Sequence, residues 1–302
     1  MLGAGGGGDV VGALAIARMC ESLGTGFVLG GVAWERIVVD PRPGPRPTSE
    51  IDGGTPLGPR ALLAGPGTAT VDGVAFSESL MARHLGTETV LIDVTAGAAG
   101  VSEGIDAACR GLACDLVVLA DVGGDILATG DEPGLASPLC DAVMVAGAVA
   151  ADTACVLAVT GAGCDGELTP GEVLERVAAA ARAGAWTGTW SPSPGIAAEV
   201  AAAAAANTTE ASLQLARCAR GETGPTPIRG GRRTVELTPV GALAFFFDPT
   251  PAMRDVAPLA PVVAGTKSIE AARAALEARG VRTELDYERE RASEGNGTTT
   301  VP

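Results

Sequence analysis

Histidine and lysine are nearly missing from this chain of 302 residues: His84 is the sole histidine and Lys267 the sole lysine. One imidazole leaves little room for a Ser-His-Asp triad or a histidine-rich zinc site. His84 sits in a helical pattern, Met81-Ala82-Arg83-His84-Leu85, and reads as a surface or hydrogen-bonded side chain rather than a catalyst. Basic residues are scarce, 21 Lys+Arg against 36 Asp+Glu, and the net charge of −15 removes any electrostatic case for binding nucleic acid. Aromatic residues are only 3% of the chain, and their one run, Phe245-Phe246-Phe247, has no basic surface beside it to make a base-stacking platform. No uncharged apolar run reaches the roughly 18 residues of a membrane span. The start, Met1-Leu2-Gly3-Ala4, has no basic segment leading into an apolar one, so the expected location is the cytoplasm. Cys20, Cys109, Cys114, Cys140, Cys155, Cys164 and Cys218 are odd in number and show no CxxC or CxxH spacing. That excludes a zinc knuckle or a dithiol motif and leaves small buried hydrophobes.

Hydrophobic residues, by contrast, make up 47% of the chain, enough for a substantial core. The acidic total suits either a basic partner or, the reading favoured by an alanine-rich, lysine-poor composition, salt adaptation or a GC-rich genome, in which negative charge serves solubility and says nothing about substrate.

Apolar, β-branched runs alternate with glycine-rich turns and helical patterns. Strands are expected at Gly26–Ala33, Thr89–Val94, Leu116–Asp121 and Ala154–Thr160, then at Thr234–Leu237, Ala242–Phe247, Pro261–Ala264 and Val281–Tyr287. The middle runs are apolar throughout, as when helices cover both faces of a parallel sheet. Thr169-Pro170-Gly171-Glu172 is a capping box with proline at the first helical position, and its helix should stop near Gly184. Ser137-Pro138 opens a helix in the same manner. Ser268 caps another that ends at Gly280 between two short strands, a terminal β-α-β unit. Asp40–Arg60 and Gly221–Arg233 are too rich in Pro, Gly and Arg for long regular structure. The reading is an α/β, Rossmann-like open sheet, mostly parallel, with helices on both faces. It forms one domain over residues 1–290, followed by a disordered tail, 291–302.

Two loops stand out chemically. In Gly3-Ala4-Gly5-Gly6-Gly7-Gly8-Asp9, the residues Gly3, Gly5 and Gly8 satisfy G-x-G-x-x-G and run into the helical pattern Val10–Ser22. Such glycines let backbone N–H groups approach a phosphate at a helix N-terminus. Only Met1 and Leu2 precede the loop, so either the first strand is very short or an in-frame start upstream adds an apolar segment. Glu35 lies near where a ribose-binding acid should follow, while the charge of Asp9 suits a metal, a cation or a hydroxyl-bearing ligand better than a bare pyrophosphate. The second loop, Asp121-Val122-Gly123-Gly124-Asp125 with Asp131 and Glu132, lies past the carboxyl end of an apolar strand, where open α/β sheets place ligands. Its carboxylates can hold Mg²⁺ or position hydroxyls, or else form a solvated acidic loop. Asp93 with Thr95, and Gly161–Glu167, end two further strands in the same small-plus-acidic chemistry and would complete one rim. Arg42, Arg46 and Arg60 are either an anion clamp or solubilising loop residues.

Gly5–Gly12, Trp34-Glu35-Arg36 with Asp40-Pro41 and Gly44-Pro45-Arg46, and Asp121–Asp125 with Gly130–Leu135 together resemble the family called domain of unknown function 1152. The look is that of its haloarchaeal branch. The resemblance runs from the glycine loop to about Tyr287 and implies a single domain and a halophilic source. It implies no activity. Relatives carry an apolar strand before the glycine loop, and this chain departs from them there.

The residues themselves point to an enzyme acting on a small phosphorylated or nucleotide-like metabolite. In that reading Gly5, Gly6, Gly7 and Gly8 cradle the anion beside Asp9. Asp121, Asp125, Asp131 and Glu132 hold a divalent cation or ligand hydroxyls, with Asp121 and Asp125 as metal ligands and catalytic acid or base. Two alternatives stay open: an NAD(P)-dependent oxidoreductase with Glu35 on the ribose, and a ligand-binding protein without catalysis.

Overall fold

A computed structural model describes residues 1–295. Along the chain, β1 (Leu2–Gly3), α1 (Asp9–Ser22) and β2 (Gly30–Val32) lead into a hairpin of β3 (Ile51–Gly58) and β4 (Ala61–Thr70). Helix α2 (Ser77–Leu85), β5 (Thr89–Ile92), α3 (Gly97–Leu112), β6 (Leu116–Val122), α4 (Pro138–Ala150) and β7 (Ala154–Thr160) follow. Next come α5 (Pro170–Arg182), β8 (Trp186–Trp190), the helices α6 (Pro194–Asn207) and α7 (Glu210–Ala219), and a ribbon of β9 (Gly224–Ile228) and β10 (Arg233–Leu237). Strand β11 (Ala244–Phe247) precedes α8 (Pro249–Asp255), α9 (Ala260–Val263), α10 (Ile269–Glu277) and α11 (Glu284–Gly295).

Nine strands form one sheet in the order β3-β4-β5-β2-β1-β6-β7-β11-β8. The five central strands, β5-β2-β1-β6-β7, are parallel; β4 and β11 run antiparallel at either side. This is the Rossmann-like open sheet expected from the alternation of apolar runs, with antiparallel additions at both margins. The order of the parallel strands reverses at β1, because the chain winds outward to β2 and β5 and then returns to β6 on the other side. A crevice therefore opens between the carboxyl ends of β1 and β6.

Strand β6 shows why both faces are covered. Val117 and Leu119 pack into the cluster beneath α3, α4, α5 and α10, while Val118 and Ala120 pack under α1 and α6. An uninterrupted apolar run with period-two burial on two sides fits a central strand.

Several elements differ from the sequence reading. The expected terminal β-α-β unit is not formed. Pro261–Ala264 lies at the short helix α9 and its C-terminal end, and Val281–Tyr287 is a turn running into α11. Thr283 explains the second change: its N–H and its hydroxyl both donate to Asp286 Oδ2, at 3.0 and 2.7 Å, which starts a helix instead of a strand. Helix α11 runs through residues 291–295, where the sequence suggests a disordered tail; residues 296–302 lie outside the described residues. The Pro- and Gly-rich stretches also hold strands. In β3, Pro56 is tolerated because this is the edge strand, and β9 carries Pro225 and Pro227 in a ribbon paired only to β10. Arg46, placed in that loop as a clamp or a solubilising residue, is buried and makes a bidentate pair with Asp40 at 2.6 Å. Arg42 pairs with Glu50 and Arg60 with Asp93.

The capping box at Thr169–Glu172 is present, and Ser268 caps α10. At α4 the helix starts where expected, but Ser137 does not cap it. Its hydroxyl lies 2.6 Å from Glu167 Oε1, and the carboxylate of Glu284, from α11, accepts from Leu139 N (3.0 Å) and Cys140 N (2.7 Å) instead.

Candidate functional site

The loops after β1, β2, β6 and β7 all open at one sheet edge and enclose a cleft of about 470 Å³. Gly5–Asp9, Glu35, Arg36, Val122, Asp125, Asp141, Asp165, Glu167 and Glu284 contribute to its walls, with α7's start, the β9–β10 tip and α11 above.

The glycine loop is shaped by close packing. A Cβ on Gly6 would collide with the carbonyl oxygen of Trp34, and one on Gly8 with the hydroxyl of Thr209. Gly7 is left-handed, at φ 77°, facing Arg36 and Glu35 across the cleft. The loop is closed on itself by Asp9, whose Oδ2 accepts the Gly5 N–H at 2.8 Å. One of the amide donors expected for a phosphate is thus already taken by a carboxylate. Burial pushes Asp9 up to about 7, against the opposing pull of the Gly5 N–H and Arg36.

Three elements bring acids to the floor. Asp121 is the penultimate residue of β6, and its Oδ2 accepts the N–H of Gly124 at 2.8 Å. No N–H or O–H among the described residues reaches its other oxygen, Oδ1, and the neighbouring side chain Asp125 is another carboxylate. Asp141, in the first turn of α4, has an equally buried and unpartnered Oδ1. Each of Asp9, Asp121 and Asp141 offers an oxygen within 4.8 Å of the other two, and so do Asp125, Asp165 and Glu167. Burial, then the charge of Asp125, drives Asp121 and Asp141 well above the carboxylate range; burial and then Asp125 and Glu167 do the same to Asp165. Burial and the charge of Glu167 lift Asp125 to about 7, and burial alone accounts for a similar value at Glu284.

Glu167 behaves oppositely. Burial would raise it, but Arg36 and three donors, the N–H groups of Ala136 and Ser137 and the Ser137 hydroxyl, hold it below the usual value. The guanidinium of Arg36 spans the cleft to Ser137 Oγ at 3.2 Å and is held charged by the acids around it despite its burial. Arg229 approaches Glu167 at 3.6 Å from the tip of the β9–β10 ribbon. Seven carboxylates (Asp9, Asp121, Asp125, Asp141, Asp165, Glu167 and Glu284) therefore converge on two close arginines.

The loop residues singled out in the sequence divide accordingly. Gly5, Gly6, Gly7, Gly8, Asp9, Glu35 and Asp125 line the cleft, and Asp121 lies against it. Glu35 is 4% exposed, follows β2 as anticipated, and has Oε1 occupied by the Ser77 N–H at 2.5 Å. Asp131 and Glu132 do not line the cleft. Glu132 closes its own turn, accepting from Thr129 N, Thr129 Oγ1 and Gly130 N at 2.7–2.9 Å, and Asp131 points to solvent. Asp93 is likewise taken up, by Arg60, Thr48 and Thr95. Asp165 and Glu167 belong to the rim that the sequence suggested, whereas Arg36, Asp141, Arg229 and Glu284 line the cleft without having been singled out there. Asp141 had a readable signal, since it is the one charged residue in the apolar helix Pro138–Ala150.

The sequence profile of one family, described as Protein of unknown function (DUF1152), matches residues 1–292. The chain belongs to that family. No curated protein and no solved structure matches it. Membership agrees with the resemblance carried by the glycine loop and the Asp121–Asp125 loop, both of which lie at the cleft. Among the described residues no helix is long and apolar enough to cross a membrane.

Proposed function

We propose that this protein is an enzyme that binds a small phosphorylated or nucleotide-like metabolite in the cleft, together with a divalent cation. One observation carries the reading: the cleft at the strand-order reversal has an acidic floor and an arginine-bearing wall and mouth, formed by Arg36, Arg229, Arg232 and Arg291. A neutral ligand would leave both charges unanswered. A phosphate group answers both, with its oxygens shared between a cation on the floor and the guanidinium groups above. The exposed Val38 and Val39, with half-buried Ile37 between them and Arg36, offer an apolar surface for the rest of such a ligand. Asp125, raised to about 7, is a carboxyl poised to exchange a proton near neutrality and is assigned the acid–base role.

Thermal melting with ATP, NAD, ribose 5-phosphate and Mg²⁺ tests this. Stabilisation by a phosphorylated compound that requires Mg²⁺ is expected, because bound ligand raises the folded state's share by mass action. Melting unmoved by every such compound would overturn it. Binding without turnover of any of them would favour a ligand-binding protein. A second reading, an NAD(P)-dependent oxidoreductase, is favoured by Glu35 at the end of β2 in this strand order. It requires stabilisation by NAD without Mg²⁺ that is lost in Glu35→Gln.

A further inference from the structure

We infer that Asp9, Asp121 and Asp141 form a binding site for one divalent cation of the hard, oxygen-seeking class, Mg²⁺ or Mn²⁺. The inference deepens the proposed function, which calls for a cation without saying where it sits. The three carboxylates come from three separate elements, the first residue of α1, the end of β6 and the first turn of α4. Their oxygens lie within 4.8 Å of one another. Oxygens on opposite sides of a cation stand about 4–5 Å apart when each bond is about 2.1–2.5 Å, so the cluster closes round an ion with small side-chain movements.

The independent observation is that two of these groups lack partners. Asp121 and Asp141 are each 1% exposed, and each has a buried Oδ1 that no donor among the described residues reaches. Buried carboxylate oxygens are normally hydrogen-bonded, and a buried charge is normally paired or coordinates a metal. The nearest guanidinium, Arg36, donates to Ser137 and not to either of them. Asp125, Asp165 and Glu167 approach one another as closely, but Glu167 already accepts three hydrogen bonds, so that cluster does not ask for an ion in the same way. All-oxygen ligation excludes the thiol-seeking metals. The one neighbouring sulfur, Cys140 Sγ, lies 3.4 Å from the carbonyl of Ala4.

The test uses the full chain, stripped with a chelator, and Mn²⁺ alone as probe, followed by electron paramagnetic resonance. One bound Mn²⁺ per chain, displaced by Mg²⁺, is expected. Asp141→Asn should weaken Mn²⁺ at least tenfold, with the metal-free protein melting no lower than the parent, because the amide keeps the shape of the carboxyl group and leaves one acid fewer in the cluster. Should Asp141→Asn fail to fold, Asp9→Asn must show the same loss of Mn²⁺. The exposed Asp131→Asn should bind as the parent does. Absence of bound Mn²⁺ in the parent, or unchanged Mn²⁺ binding by folded Asp141→Asn or Asp9→Asn, would overturn the site. The two proposals fail separately: nucleotide stabilisation without any Mn²⁺ binding removes the cation site alone, and Mn²⁺ binding without any phosphorylated ligand removes the metabolite alone.

Discussion

Glu78, at the start of α2, is 1% exposed, and its Oε2 has no hydrogen-bond donor among the described residues. Its Oε1 presses so closely on Gly31 of β2 that a Cβ there would strike it. Burial, followed by the charge of Glu35, raises its carboxyl well above the ordinary range. The folded state therefore keeps a proton that the unfolded chain releases above its ordinary value of 4.5. Stability is unaffected below that pH and falls as pH rises towards the folded value. Glu78→Gln should accordingly melt close to the parent at pH 4.5 and progressively higher than it by pH 8. A constant difference across that range in scanning calorimetry would contradict the assignment. Sequence pattern gave no sign of this residue, because Ser77-Glu78-Ser79 reads as an ordinary polar helix start. It did mark Asp9, Asp121 and Asp125, which stand beside glycines at strand and helix ends, where a short side chain and a turn leave few places but the cleft edge. Asp131 and Glu132 have the same composition, yet Asp131 faces solvent and Glu132 folds back on its own loop, since Thr129 supplies a competing donor in the same stretch.

Elements were legible in proportion to how much their own residues decide. Strands β6 and β7 announce themselves through β-branched residues buried on both faces, and α5 through a complete capping box. Strands β3 and β9 hide behind Pro and Gly that their edge positions tolerate. The start of α11 reads as the end of a strand over Val281–Tyr287, although Thr283-Glu284-Leu285-Asp286 spells a helix start. The cost of missing it is high, since Glu284 belongs to α11 and caps α4, the helix that carries Asp141. Glu284→Ala leaves the N–H groups of Leu139 and Cys140 without acceptors. It should lower stability by about 1–2 kcal/mol, the range for losing a helix cap, seen as a lower urea midpoint at unchanged slope. No change in midpoint would show that water replaces the cap.

At the scale of the whole molecule, composition foretold the class of fold but not the strand order. The reversal at β1 depends on which long-range pairs form, and no local pattern encodes that β6 returns to the side of β1 opposite β2. The net charge of −15 has a consequence that does not depend on topology. Like charges repel more when the chain is compact, and salt shortens the reach of that repulsion to about 3 Å at 1 M. The melting temperature should rise steadily from low to molar KCl; a flat or falling curve would show that the ion pairs weakened by salt outweigh the repulsion.

The cap that Glu284 places on α4 also bears on the order in which the protein is made. A ribosome releases Asp141 and the start of α4 some 145 residues before the carboxylate that fixes that helix end. Until residue 284 emerges, the nascent chain can stack its central strands while the opening turn of α4 has no acceptor from α11 for its free amides. The acidic floor thus acquires its final shape only after residue 284 has been made, so a chain terminated before that residue retains the strands of the sheet and lacks a finished cleft.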